Sequence, residues 1–419
     1  MTVNEDVARF LRDDQLVIPD AARHEAKRAL LNAFAAALFA RDDPTTDVLR
    51  SWAAAISPAG DAAVLWSELT VDPHDAAMVN AAMMHVADFD DTHRPTYVHT
   101  TAAVSAALFA AATGRTVSGR EFLDAYIRGV EAELLYAEAL FPSHYLRGFH
   151  ITATVGALGA AAACAVLAGL DHEQTVHALG LAAATASGLV EMLGTSGNAY
   201  QVGNSARLGL TAVELAGRGL DSVATAFEGD RGLLHASSDE DAARVSAAVD
   251  TLGHQWRLLD VSYKALPTET ITQAPLQAVL ALRARLPADR RRRLQRIELT
   301  SKPIVVDVVA QRARKFGDYP KTAMHARFDI RYCLAATWVS GRWTPAELAE
   351  TVLTDPLVRT LHDNVVVLSH GRADGNDVRV RLEFDDGTTE EEFVEAFRGS
   401  AENPMSDDDL VRKLENAAP

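Results

Sequence analysis

Asp88-Phe89-Asp90-Asp91-Thr92-His93-Arg94-Pro95-Thr96-Tyr97-Val98-His99 packs three carboxylates, two imidazoles and three hydroxyls into twelve residues. It follows the apolar run Val79-Asn80-Ala81-Ala82-Met83-Met84-His85-Val86-Ala87, which has the make-up of a buried helix. If that helix continues, His85, Asp88 and Thr92 share one face as i, i+3 and i+7, and Phe89 turns to the neighbouring face. Pro95 stops the helix, so His99 arrives on a loop that folds back toward Asp88. An aspartate beside a histidine fixes the imidazole tautomer and raises its basicity, which is what proton-transfer chemistry requires.

Three other origins fit the residue types of this stretch. A solvated acidic helix end is the commonest origin of an aspartate-rich segment. Asp90-Asp91 on a helical scaffold also fits a magnesium motif of the class I terpene-synthase kind. Thr92-His93-Arg94 follows instead of a third carboxylate, however, no second metal motif appears downstream, and only 6% of the residues are aromatic. His85, Asp88, His93 and His99 have the residue types of a transition-metal site, although their spacing does not compel one.

The pattern Asn-x-x-x-x-His-x-x-Asp-Phe-Asp-Asp-Thr-His from Asn80 to His93, with His99 seven residues after Thr92, resembles the signature of the MmgE/PrpD family. Other segments carry the same resemblance. Gly148-Phe149-His150-Ile151-Thr152-Ala153-Thr154 is similar to that family's Gly-Trp-His-Pro-Thr-Gly-Thr, with Phe149 and Ile151 as replacements. Gly203-Asn204-Ser205-Ala206-Arg207-Leu208-Gly209 is similar to its Gly-Asn-Ala-Ala-Arg-x-Gly turn into a helix, Tyr263-Lys264-Ala265-Leu266-Pro267 to its Lys-x-x-Pro segment, and Asn403-Pro404-Met405-Ser406 to a segment near its end.

The resemblance implies a mainly α protein of two domains. A large all-helical domain takes residues 1–268 and 397–419, and a smaller α+β lid takes 269–396. It implies a lyase without metal or cofactor that acts on a small carboxylic acid, with dehydration of a hydroxy acid as the favoured reaction. Decarboxylation, epimerisation and a non-catalytic homologue that keeps the fold are the alternatives. Asp88, His99, His150 and Lys264 take the catalytic positions, and Thr92, Asn198, Gly203, Asn204 and Arg207 the substrate-binding ones. His150 at a helix start is also the place for a simple capping residue, and Arg207 for a helix-face salt bridge. Asn198 stands where many relatives place a lysine, which implies a substrate with fewer carboxylates than 2-methylcitrate. Homodimerisation is expected from the same resemblance.

The rest of the chain agrees with a helical protein that carries an α+β appendage. Of its 419 residues 48% are hydrophobic and 23% charged, the proportions of a globular protein with a sizeable core. A net charge of −17 argues against a nucleic-acid or anionic-membrane partner. Cys164 and Cys333 lie far apart in apolar contexts and read as free thiols of a reducing, cytoplasmic compartment. The N-terminus lacks the pattern of a signal peptide. Residues 151–170 are apolar enough to suggest a membrane span, but their Ala and Gly content fits a tightly packed core helix better. Ser118-Gly119-Arg120-Glu121 is a capping box opening a long amphipathic helix to Leu140. Further helices are expected at 22–40, 100–113, 155–170, 173–187 and 208–218. After the basic run 290–293, strands are expected at 297–300, 364–368 and 378–384, with turns at Gly375-Asn376 and Asp386-Gly387.

Overall fold

The structure is a computed structural model that describes residues 1–57, 60–372 and 377–417. It divides into two compact units, one formed by Met1–Tyr263 with the segment from Ser406 onward, the other by Lys264–Met405. The expected turn at Gly375-Asn376 lies outside the described residues. The sequence boundaries of 269 and 396 fall inside the second unit, and local hydrogen bonds explain why. Gln273 donates to the carbonyls of Leu266 and Thr268, Trp343 donates to Pro267, and the Arg398 N–H donates to Gln277.

The first unit is built on the helix Ile151–Ala168, fifteen of whose residues are buried. It is long and apolar enough to cross a membrane by composition, but here it packs between the helices Gly119–Leu140 and Ser196–Gly217. Glycine and alanine permit that layering. A Cβ on Gly129 would lie 2.5 Å from Ala163 Cβ, and one on Gly209 would lie 2.5 Å from Ala160 Cβ. Larger side chains would force the backbones apart. The 119–140 helix begins with the expected capping box, Ser118 accepting from the Glu121 N–H and Glu121 from the Ser118 N–H.

The chain's end belongs to this unit. Helix Asp407–Ala417 packs on helix Asp20–Phe39, and its Lys413 is buried, with Nζ donating at 2.7 Å to both Asn32 Oδ1 and the Phe89 carbonyl. The same ammonium lies 3.5 Å from the Phe89 ring centroid. A residue 324 positions away thus pins the aspartate-rich stretch.

The second unit holds a four-stranded sheet in the order Val365–Ser369, Leu294–Ser301, Val378–Phe384, Thr389–Val394. The first pair is parallel and the others antiparallel. Val378, Val380, Leu382 and Phe384 are buried while the residues between them are exposed, so the alternation read in the sequence is one core face and one solvent face. Helices Thr270–Arg285 and Ile330–Ser340 bury Leu276, Val279, Leu282 and Leu334 with Ile297, Leu299, Val380 and Leu382.

Candidate active site

Three helix ends deliver the titratable groups of the first unit. Helix Pro73–His85 stops at His85, so the continuous face expected through Asp88 and Thr92 does not form. Asp88 adopts φ +50°, in the left-handed region, and its N–H bonds the His85 carbonyl at 2.9 Å. This reversal moves the role expected of Asp88 two residues on. Asp90, fully buried, receives His85 Nδ1 at 2.8 Å on one oxygen and His99 Nδ1 at 3.0 Å on the other.

Burial alone would push the Asp90 carboxyl up. The attraction of His99 and His85, with their hydrogen bonds, outweighs it and holds the group well below the usual carboxylate range. An ionised carboxylate only accepts, so both facing Nδ1 atoms carry hydrogen. His85, Asp90 and His99 offer donor atoms within 4.8 Å of one another, the residue types of a metal site. Their contacts are those of one acceptor between two N–H donors.

His99 is the N-cap residue of helix Thr100–Ala111, and its backbone N–H donates to Thr152. Asp91 anchors that helix start, accepting from the Thr100 hydroxyl and from the Thr101 hydroxyl at 2.7 Å. Burial and the neighbouring Asp90 charge raise the Asp91 carboxyl. The three aspartates therefore divide the work between a turn, an imidazole clamp and a helix cap.

His150 caps the 151–168 helix, with Nδ1 accepting the Ala153 N–H at 3.4 Å. Its ring centroid is 6.1 Å from that of His85, which is itself 4.7 Å from His99. Burial first, then the neighbouring His85 and His99, push His150 well below its ordinary range, while Asp88 and Asp90 oppose the shift. The neutral ring thus accepts at Nδ1 and carries its hydrogen at Nε2.

The other expected positions separate. Asn198 joins the cluster, its amide nitrogen 3.1 Å from His85 Nε2. Gly203, Asn204 and Arg207 do not open a helix, because the helix begins at Ser196 and carries them in its middle turns. Their backbone N–H groups are spent within the helix, so the expected anion site at a helix start is absent there. Gly203 instead permits a close crossing, since a Cβ would lie 2.4 Å from the Met78 carbonyl. Arg207 lies nine residues along the helix from Asn198, about 13 Å at the usual rise, and pairs with Asp75 at 3.5 Å. Thr92 is buried on the strand Thr92–His93, paired with Ser262. His93 departs from the metal reading as well: its Nδ1 meets Thr96 Oγ1 at 2.8 Å, and burial, with Arg257, pushes it down to about 3. Lys264, two residues after Ser262, is 1% exposed and belongs to the second unit. In the sequence Asp90 and His85 stand out only as candidate metal ligands, and neither they nor Gln201 are expected to orient a catalytic imidazole. The first two lie inside the quoted motif, but Gln201 carried no signal of its own.

A carboxylate shared by two imidazoles, with a third imidazole close by on a helical scaffold, is an acid–base arrangement. Residues 6–246 match the MmgE/PrpD N-terminal domain and residues 266–419 the MmgE/PrpD C-terminal domain, so the chain belongs to the MmgE/PrpD family of enzymes. It is 27% identical over 426 residues to a cis-aconitate decarboxylase of Aspergillus terreus, across 96% of this chain and 86% of that one. The mouse (Mus musculus) protein named cis-aconitate decarboxylase is 27% identical over 363 residues, with 83% and 72% covered. The human (Homo sapiens) protein of the same name is 25% identical over 429 residues, with 95% and 83% covered.

Proposed function

We propose that the chain is a cofactor-independent lyase that dehydrates a small hydroxy carboxylic acid. The observation that carries this reading is Asp90 accepting from both His85 and His99. With hydrogen on Nδ1, His99 presents Nε2 as a base, and the carboxylate behind it stabilises the imidazolium formed when that base takes a proton. The α-hydrogen of the acid passes to His99 Nε2. Its electron pair becomes the new double bond as the C–O bond breaks, and the departing hydroxide takes that proton back from the His99 imidazolium and leaves as water, which restores neutral His99. Neutral His150 donates its Nε2–H to the oxygen on which charge develops. Lys264 is proposed as a cation for the substrate carboxylate, with Asp88 and Thr92 as further site residues.

Decarboxylation is the second reading, favoured by the names of the relatives. It needs a proton donor to the carbanion but no base, and so makes less use of a carboxylate-backed His99. For the substrate, Asn198 offers no charge, and a charge-assisted hydrogen bond is about twice as strong as a neutral one. A tricarboxylate would leave one carboxylate with neutral partners, a cost of about 1–3 kcal/mol in a buried site. A mono- or diacid with a larger neutral portion fits better. The test is a panel of hydroxy and unsaturated acids offered to the native protein and to Asn198→Lys, with products followed by NMR. Turnover of a mono- or diacid to its dehydrated product supports the proposal. Release of carbon dioxide with no dehydration would replace it by the second reading, and efficient use of 2-methylcitrate or cis-aconitate by the native protein would overturn the substrate assignment.

A further inference from the structure

A chain of hydrogen bonds behind the histidines has a fixed direction, and one backbone group sets it. The Leu189 N–H, which can only donate, is 2.9 Å from Gln201 Oε1. The oxygen of Gln201 is therefore turned toward Leu189, and its amide nitrogen donates to the Leu189 carbonyl at 3.2 Å and to Asn198 Oδ1 at 3.1 Å. With Asn198 Oδ1 so engaged, Asn198 Nδ2 is the atom facing His85 Nε2 at 3.1 Å. An amide nitrogen donates and never accepts, so His85 Nε2 holds a lone pair and His85 Nδ1 holds the hydrogen, directed at Asp90. The reverse amide orientation would place two oxygens, or two N–H groups, face to face in the half-buried contact between Gln201 and Asn198.

We infer that Asn198 is a positioning residue that locks His85 as the neutral Nδ1–H tautomer, making His85 a permanent donor to Asp90. Asp90 then cannot be satisfied by a proton on His85 Nε2. It takes one N–H from each imidazole, and the nitrogen of His99 that faces away from the network is the one left to accept. The groups facing His85 are Asp90 from the loop that follows its own helix, His99 and His150 from two neighbouring helix starts, and Asn198 from the 196–217 helix. The 188–190 segment also registers His150, because the Gly188 carbonyl accepts the His150 N–H at 3.0 Å and the Val190 N–H donates to Gly148 at 2.9 Å. One short segment thus orients both the Gln201 amide and the start of the helix that carries His150. The catalytic meaning of the lock rests on the lyase reading, but the lock itself does not.

The experiment needs no substrate. Protein labelled with ¹⁵N-histidine is studied by long-range ¹H–¹⁵N NMR, with His85 assigned by the signal lost in His85→Gln. The expected result is a His85 with hydrogen on Nδ1 and none on Nε2. Asn198→Asp, which puts an acceptor opposite Nε2, is expected to bring hydrogen onto that nitrogen. Gln201→Glu, which removes the donor holding Asn198 Oδ1, is expected to broaden or split the His85 signals as the amide turns. An Nε2–H tautomer in the unaltered protein overturns the inference whether or not either variant folds, as does an unchanged His85 spectrum in a folded Asn198→Asp. Failure of the lyase reading would appear separately, as a protein that shows the predicted tautomer and turns over no acid.

Discussion

Asp90→Asn preserves the shape of the buried side chain and removes its charge, so its effect can be worked through bond by bond. The amide has one oxygen and one NH₂ where two acceptors stood. Its oxygen can keep one imidazole N–H, but its nitrogen must face the other Nδ1, which then has to give up its hydrogen. His85 resists, since a hydrogen moved to its Nε2 would point at the Asn198 amide nitrogen 3.1 Å away. His99 yields instead, and its hydrogen moves to Nε2, the atom proposed to act as base. Two charge-assisted bonds are weakened as well, which costs about 1–3 kcal/mol, offset in part because a neutral group is less costly to bury. The expected outcome is a folded protein with turnover reduced about 10²- to 10⁴-fold, the usual worth of a general base. The assay is product formation on the best acid of the panel, beside thermal unfolding. A folded Asp90→Asn that keeps more than about a tenth of native turnover would refute the assignment of Asp90, because general-base loss is worth at least about 10²-fold. An equal or greater loss in Asp88→Asn alone would return the role to Asp88.

Dialysis against a strong chelator is expected to leave the rate unchanged, because both Nδ1 atoms that face Asp90 carry hydrogen; a loss restored by magnesium or zinc would revive the metal readings. Stability should fall as pH drops from about 6.5 to 4.5, read as the urea midpoint. His93 and His144 are held near 3 and 4 by burial against the usual 6.5, so below 6.5 the unfolded chain binds protons that the folded one refuses. Each contributes a loss of about 1.4 kcal/mol per pH unit. Glu131, raised by burial to about 7 from 4.5, acts oppositely across that window, since there the folded state binds the extra proton. His150, whose shift has the same sign as the other histidines, is offset by Glu133, which burial raises as it does Glu131, so the net expectation is a loss of about 1.4 kcal/mol per unit. A midpoint that stays flat or rises toward pH 5 would contradict it.

The helical scaffold was legible where pattern and propensity agree. The capping box at Ser118 and the alternation of residues 378–384 appear in the structure where the sequence put them. The strand Thr389–Val394 was not foreseen, because at the sheet edge its run of glutamates has no two-sided core to reveal it. The first turns of the helix Ser196–Gly217 were missed for a different reason. Gly197, Asn198, Gly203 and Asn204 are poor helix formers, yet the close crossing at Met78 needs Gly203 and overrides propensity.

The site was legible as a motif and not as a geometry. His85, Asp88, Asp90, Asp91 and His99 stand together in sequence, but one left-handed residue, Asp88, decides which aspartate meets the imidazoles. No periodicity encodes that reversal. The position of Asn198 on a helix that was expected to start later likewise hid its bond to His85.

Whether His99 is the base of a carboxylic-acid lyase is read from turnover of the best acid of the panel by His99→Ala beside the native protein. The expected result is a rate reduced by about 10²-fold or more, with the thermal unfolding transition retained. A folded His99→Ala protein with near-native turnover would contradict it.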